Sequence, residues 1–345
     1  MTGTIIDIFH SDPFSAIEMT TAVERLPHLP AMLRDSGIFT ENPIRTTALA
    51  VEERNGILTV VPISQRGQPT NAERNTERRK MRYFDVPRVR VGDTIFSHEL
   101  QNIRAFGETT VLMQVQDEVA RRLSGPTGLL SLLDYTEENM FLGAVQGLFL
   151  DYDGSVLYNW FDEFEFEEPE EIAFNLSANV EYSLRPIINE LTRSMARSAK
   201  GAFTQATSVM ALCGDAFYDE FTNHVDVVST YKNWSDATDL RKGGAFQTFH
   251  FGGVDWVNYR GSDDNTSIKI PDDKVKLFPV NAPGVFEEAL APAEGFEWVN
   301  TPGQKRYIKP IFDRDRNEWW RMEASMYPLP ICKRPEVLRT GRAGA

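Results

Sequence analysis

The sequence predicts an α+β fold, in which helices and strands are mixed without a regular βαβ period or an internal repeat. Segments of alternating apolar and polar residues surround Asn55-Gly56 and Asp153-Gly154, two dipeptides that favour tight hairpin turns. Other segments, at about 107–147 and 182–201, carry apolar residues at helical spacing. A polar stretch at 64–82 has almost no apolar side chains to bury. These patterns favour a packed mixed fold that carries a long exposed loop.

Length and composition are those of an ordinary globular chain. Of its 345 residues, 41% are hydrophobic, which is enough to bury a sizeable core divided into two or three substructures. The formal net charge is −14. A protein that binds nucleic acid by covering phosphates with Lys and Arg needs a basic surface, so the charge argues against that class.

Cysteine usage and the absence of targeting signals point to a soluble protein. Cys213 and Cys332 lie far apart and have no CxxC or Cys/His spacing, so neither a disulfide framework nor a zinc site is predicted. The N-terminal residues lack the basic and apolar regions of a signal peptide. No uncharged apolar run approaches the roughly 18 residues that a membrane span needs. We therefore expect a cytosolic protein with no membrane partner.

The first half of the chain predicts an arm, a loop and a long helix. Short apolar stretches punctuated by prolines at 1–45 are typical of an extended arm. The polar stretch 64–82 is expected to form the loop tip between the first hairpin and a strand at 84–91. Apolar spacing predicts a helix over 107–147, interrupted at Gly125-Pro126.

The rest of the chain predicts further hairpins and two helices. A hairpin at 148–161 leads into 160–169, where aromatics alternate with acids, and this pattern favours a strand with one wet face. The first of the two helices is expected to end at Gly201, and its predicted apolar face consists of Leu184, Ile187, Ile188, Leu191 and Met195. The second is expected to run from Asp215, as its N-cap, to Tyr231. Further strands are predicted at 246–261, 268–280 and 307–331.

A search for catalytic motifs finds none that is complete. His98-Glu99 begins like an HExxH zinc helix, but Asn102 occupies the position of the second His. Residues 313–317 imitate the start of a calcium loop, yet Glu318 stands where Gly must make the sharp turn. Phosphate-binding and acyl-transfer motifs are also missing. The sequence therefore predicts no catalytic residues, no metal site and no cofactor.

The acids at 162–171 leave one enzymatic alternative open. Asp162 and Glu163 have the residue types of a carboxylate pair in a glycosidase, and tryptophans supply sugar platforms in such enzymes. Carboxylates in this segment are better explained as the solvated face of a strand. A test of the enzymatic reading is the activity of an Asp162/Glu163 double variant.

Charge is distributed unevenly along the chain. Residues 65–104 carry nine Lys or Arg against five Asp or Glu, whereas residues 151–172 carry nine acids and no base. We expect these two segments to meet across a subunit interface, where charge pairing gives register and encounter rate. Two independently solvated faces are the alternative. The candidate interface residues are Arg66, Arg74, Arg78, Arg79, Lys80, Arg82, Glu163, Glu165, Glu167 and Glu168.

Several motifs along the chain match signatures of one known protein family. SHELQNIRAFG at 97–107 matches a HEL-x-x-x-RAFG signature. YTEENMFLGAVQGLFLDYDGSVLYNWF at 135–161 matches a T-E-x4-GA-x-x-G segment and the L-D-x-D-G hairpin that follows it. The remaining matches, in the family's order, are IRTTALAVEERNGILTVVPISQRG, VDWVNYRG and SMYPLPICKRP. With these motifs the chain resembles the lambda-like tailed-bacteriophage major capsid proteins.

The resemblance implies the phage major capsid protein E family and the Hong Kong 97-type capsid fold. Its expected parts are an N-terminal arm at 1–46, an extended E-loop at 47–96, a peripheral domain with a spine helix at 97–175 and 300–340, an axial domain at 176–299, and a tail at 341–345.

The function that the resemblance implies is structural. Subunits would form the pentamers and hexamers of an icosahedral phage head that encloses double-stranded DNA, and would catalyse nothing. The implied partners are copies of the chain, a scaffolding protein, a portal and a decoration protein, with assembly in the host cytoplasm and a final location in the virion. An encapsulin-like nanocompartment shell is the alternative within the same fold.

Overall fold

The computed structural model describes residues 32–55, 78–102, 111–125, 128–232, 248–259 and 270–344. Most of the expected arm and the tip of the expected polar loop lie outside these ranges, as does the second strand of the hairpin predicted at Asn55-Gly56. Within them, no helix is long and apolar enough to cross a membrane.

The described residues contain both helices and strands throughout. The α-helices are α1 Met32–Asp35, α2 Ser97–Asn102, α3 Val111–Ser124, α4 Leu129–Val145, α5 Trp160–Glu163, α6 Leu184–Ser198, α7 Asp215–Asn223 and α8 Val225–Lys232. The strands are β1 Thr40–Pro43, β2 Ala48–Asn55, β3 Arg78–Asp85, β4 Val89–Phe96, β5 Leu148–Leu150, β6 Val156–Asn159, β7 Ile172–Ala173, β8 Ser208–Cys213, β9 Thr248–Phe251, β10 Val254–Asn258, β11 Lys274–Val280, β12 Phe286–Leu290, β13 Tyr307–Phe312, β14 Trp319–Met326, β15 Pro328–Cys332 and β16 Arg339–Arg342.

A six-stranded sheet is formed by the strands from β7 to β11 together with the last strand, β16. Its strand order is β7-β16-β11-β8-β10-β9, with β8 and β10 parallel and β8 and β11 antiparallel. The apolar face of α6 and the aromatic side chains of α7 form a core with this sheet. At its centre Phe221 stacks on Trp256 with ring centroids 4.1 Å apart. Cys213 is a buried free thiol in the same core.

Two three-stranded sheets lie beside the long broken helix. The sheet β13-β14-β4 packs on α3 and α4 through a core that includes Ile95, Leu133 and Trp320. The sheet β1-β12-β15 joins the N-terminal strand to two late strands, because β1 pairs in parallel with β12. Cys332, on β15, is a buried free thiol.

The predicted break in the long helix is confirmed, as α3 ends at Ser124 and α4 begins at Leu129. The Gly128 amide donates to the Gly125 carbonyl at 2.8 Å and closes the turn between them. The hairpin at 148–161 is also confirmed as β5 and β6, and Gly154 takes the left-handed φ of +80° that its turn requires. The α6 helix is confirmed with Leu184, Ile188, Leu191 and Met195 buried.

The strand predicted at 160–169 is wrong. The segment begins as the short helix α5, whose N-cap Asn159 accepts a hydrogen bond from the Phe161 amide at 3.1 Å. Trp160, Phe161 and Phe164 are all buried. Their spacing fits one turn of helix, whereas a strand would send Trp160 and Phe161 to opposite faces.

The single helix predicted over 215–231 is two helices, α7 and α8, and the N-cap of α7 is Gly214, with Asp215 as the first helical residue. The helix is interrupted at His224, which has extended dihedral angles. The break allows Asp226 to accept hydrogen bonds from the amides of Tyr182 and Leu184, where α6 begins. A tertiary hydrogen bond therefore overrides the apolar spacing on which the prediction relied.

Several expected boundaries also differ. Residues 78–82, expected in the loop tip, belong to β3, since their backbone pairs with β2 from Asn55↔Arg78 onward. Residues 341–342, expected in a tail, belong to β16 in the six-stranded sheet. The strand β12, expected in the axial part, pairs with β15 of the expected peripheral part.

Candidate assembly surface

The ribbon formed by β2 and β3 is the base of the long polar loop. Its inner face packs on the protein through Leu49, Val51 and Phe84, all of which are buried. The Phe84 ring meets Trp160 of α5 edge to face, with centroids 5.3 Å apart. On the outer face Met81 and Tyr83 are 54% and 68% exposed. The ribbon is therefore fixed at its base and presents an apolar outer surface.

The base of the ribbon also joins the basic and acidic segments. Lys80 and Glu165 form an exposed ion pair, and the Arg82 guanidinium lies 3.7 Å from the Glu165 carboxylate. The guanidinium of Arg82 also lies over the Phe164 ring, 5.5 Å from its centroid. The hydrogen bond from Lys80 lowers the pKa of Glu165. Salt screens such exposed pairs, so this contact contributes to position more than to stability.

The predicted interface residues are thus only partly brought together, and within one chain. Arg66 and Arg74 lie outside the described residues. Arg78 and Arg79 are in β3. Glu163 is half-buried, and Glu167 and Glu168 are exposed. None of these three acids forms an ion pair with a base that the structure describes. A contact between these segments of neighbouring copies stays a prediction.

The motifs considered for catalysis have structural partners. Glu99, from the incomplete zinc motif, pairs with Arg122 at 2.6 Å and links α2 to α3. Asp313 accepts amide hydrogen bonds from Asp315, Arg316 and Glu318 and so forms the turn between β13 and β14. The Asp162 carboxylate accepts from the Asn159 side-chain amide at 2.7 Å and lies beside the helix cap.

A buried charge network on α4 was not predicted. Arg306 lies between two carboxylates of this helix, with Nη2 2.5 Å from Asp134 and 2.8 Å from Glu137, and Nη1 3.1 Å from Glu137. All three side chains are at most 7% exposed. Arg34, within α1, adds a contact of 2.9 Å to Asp134. Burial opposes the charge of Arg306, but the adjacent Glu137 and Asp134 raise its pKa above the ordinary value.

A second part of the network holds the N-terminal segment on α4. The Glu138 carboxylate accepts the amides of Leu33 and Arg34 at 3.0 and 3.2 Å, and the Tyr259 hydroxyl at 3.0 Å. Glu288, on β12, is 2% exposed and lies beside Glu137. Burial, and then the charge of Glu137, raise the pKa of Glu288 well above its ordinary value. Glu288 therefore keeps its proton to a higher pH than an exposed glutamate does.

A signal for this network is present in the sequence. The segment LLSLLDYTEENMFLGAV places three acids inside an otherwise apolar helix. Charged residues are almost never fully buried unless they are paired, so acids in such a helix indicate a buried partner. The partners Arg34 and Arg306 lie at least a hundred residues away, one on each side of the helix in the sequence, and no local pattern identifies them.

The sequence as a whole decides the family. The model of the family described as phage major capsid protein E matches residues 15–343. The chain belongs to this family. This confirms the family that the sequence motifs suggested, and with it the function class, a structural major capsid protein of tailed phage.

Relatives of this capsid protein match its sequence and its fold along almost the whole chain. The major capsid protein of Salmonella phage Felix O1 is 26% identical, over 96% of this chain and 97% of the relative. A crystal structure from an E. coli CFT073 prophage, described as its capsid protein, has a TM-score of 0.57 at 12% identity and covers 95% of this chain and 99% of its own. The capsid of Cyanophage P-SCSP1u has a TM-score of 0.54 at 10% identity, covering 92% and 89%. The expected Hong Kong 97-type fold is confirmed.

Proposed function

We propose that copies of this capsid protein assemble into pentamers and hexamers, and that these close an icosahedral head around double-stranded DNA. The observation that carries the proposal is the family match over residues 15–343. The likeness of the fold to the capsid of Cyanophage P-SCSP1u, with a TM-score of 0.54, supports it. The role is structural, so the chain needs no catalytic residue and no cofactor.

The expected division into a packed core, an arm and a loop fits this role. A subunit that enters both pentamers and hexamers meets neighbours in slightly different geometries. A firm core with appendages that adjust allows one sequence to do so. We assign the arm to 1–46, the E-loop to 47–96, the peripheral domain to 97–175 and 300–340, and the axial domain to 176–299, with the sheet pairings of β12 and β16 as exceptions near the boundaries.

Assembly then rests on many weak contacts. Each copy touches several neighbours, and detachment requires all of those contacts to break together. The basic residues from Arg66 to Arg82 and the acids from Glu163 to Glu168 are proposed to contribute to them, in addition to the pairs that Lys80 and Arg82 form in their own chain. Such charges set encounter rate and register more than affinity.

The DNA is proposed to be enclosed without sequence-specific binding. The net charge of −14 supports this, because many phosphate contacts would hold DNA against the wall while it is packaged. A scaffolding protein, a portal and a decoration protein are the further partners we propose. Assembly would take place in the host cytoplasm, and the finished protein would reside in the virion.

The test is sedimentation and negative-stain electron microscopy of the purified full-length protein. We expect closed shells, or rings of five and six copies. A species that keeps the mass of one chain, 39.1 kDa, at every protein concentration tested would contradict the proposal.

A further inference from the structure

The loop before α6, residues 179–183, holds an aromatic residue in a strained and exposed position. Tyr182 has a φ of +63°. Bulky side chains rarely adopt this left-handed conformation, because their Cβ is crowded by the backbone. Tyr182 is also 80% exposed, and Val180 beside it is 57% exposed. The loop therefore accepts strain and presents apolar surface to solvent, and neither property helps the single chain to fold.

Buried hydrogen bonds hold the loop in this conformation. Asp226, which is 6% exposed, accepts the Tyr182 amide at 2.5 Å through one carboxylate oxygen and the Leu184 amide at 3.0 Å through the other. The side chain of Asn179 accepts the Val225 amide at 2.8 Å. The unpredicted break between α7 and α8 makes both contacts possible. A loop backbone fixed in this way loses little freedom on binding, which favours an aromatic interface anchor at Tyr182.

Charge identifies a candidate surface on a second copy. Glu181, in the loop, and Arg193, on α6, are exposed and form no ion pair with the side chains that the structure describes. Nine residues separate the start of α6 from Arg193, a rise of about 14 Å, so the two charges do not meet in one chain. In a ring of identical subunits, one surface of each copy meets a different surface of the next. Complementary charges at two places on one chain suit such a contact.

We propose that the loop 179–183 docks on the exposed face of α6 in a second copy of this chain, with Tyr182 and Val180 as the apolar anchor and Glu181 beside Arg193. This inference rests on the proposed shell function and adds a specific contact to it. The strain at Tyr182 is then explained by assembly.

The test compares particle yield for two tyrosine variants of the full-length protein. Tyr182→Asn removes the ring and places a residue that tolerates positive φ, so the melting temperature should stay equal or rise while particle yield falls about tenfold or more. Tyr182→Gly serves as a second variant with the same expectation. Tyr152→Asn is the matched control, because Tyr152 is 82% exposed on the β5–β6 turn. It should assemble like the wild type.

A charge exchange tests the partner surface. Glu181→Arg and Arg193→Glu should each reduce particle yield, and the double variant should restore it. Equal yields for Tyr182→Asn and the wild type, equal losses for Tyr182→Asn and the control Tyr152→Asn, or no recovery in the double variant would overturn the inference. A wild type that forms no particles would overturn the proposed function itself.

Discussion

Removal of the Arg306 side chain tests whether the buried network on α4 is a paired charge system. In Arg306→Met a flexible apolar side chain fills the space, but Asp134 and Glu137 remain buried, at 5% and 1% exposed. Breaking a buried ion pair from one side costs about 3–5 kcal/mol, because the remaining charge is left without compensation. Arg34 still contacts Asp134 at 2.9 Å. We therefore expect the lower end, a loss of about 3 kcal/mol in the free energy of unfolding.

Urea unfolding, followed by tryptophan fluorescence and circular dichroism, measures this loss. Arg314→Met is the matched control, since Arg314 is exposed in the β13–β14 turn, and it should change stability by less than about 0.5 kcal/mol. Adding only Glu137→Gln to Arg306→Met should recover much of the loss, because the remaining carboxylate, Asp134, keeps Arg34 as its partner at 2.9 Å. A loss below about 1 kcal/mol at neutral pH would refute the pairing.

Three further predictions follow from the burial and charge of individual residues. The pKa of Glu288 is raised in the folded state, so the stability that this one group contributes should be fully present below the ordinary Glu pKa of about 4.3 and should be lost as the pH rises through the raised value. Glu288→Gln should remove this component from a pH series of urea unfolding curves, and an unchanged pH dependence would contradict the burial of the acid. Reversing residues 78–80 to Glu removes the exposed Lys80–Glu165 pair, so the melting temperature should fall only slightly while particle yield in sedimentation falls strongly; normal shells would count against a role of these bases in assembly. Phe84→Ala should cost about 3–5 kcal/mol in thermal or urea unfolding because the ring packs on Trp160, while Tyr83→Ala should change stability little; equal effects would show that the ribbon base is not anchored as described.

Local patterns predicted most of the elements that are stabilised by their own periodicity. The apolar face of α6, the break at Gly125-Pro126 and the Asp153-Gly154 hairpin are each determined by residues within a few positions of one another. Signals of this kind are readable without knowledge of the rest of the fold.

The errors occurred where distant residues decide the local conformation. The break between α7 and α8 lets Asp226 accept hydrogen bonds from the amides of Tyr182 and Leu184, about forty residues earlier in the chain. The helix α5 forms because Trp160 and Phe161 are both buried in the core, where Trp160 packs against Phe84. Neither partner is visible in the local sequence.

The sequence predicted the charges of the candidate surface but not the positions of its residues relative to one another. The basic and acidic segments do approach each other, at Lys80 and Glu165, but within one chain. Composition gives the sign of the charges and leaves open which copy carries the partner. The buried network on α4 was missed because its acids are local and its arginines are distant.

The most direct test of the shell function is electron cryo-microscopy of particles formed by the full-length protein. We expect closed icosahedral shells built from copies of this subunit, with five copies around each vertex and six copies in the remaining rings. Open aggregates without symmetry, or a chain that stays monomeric in all conditions, would contradict it.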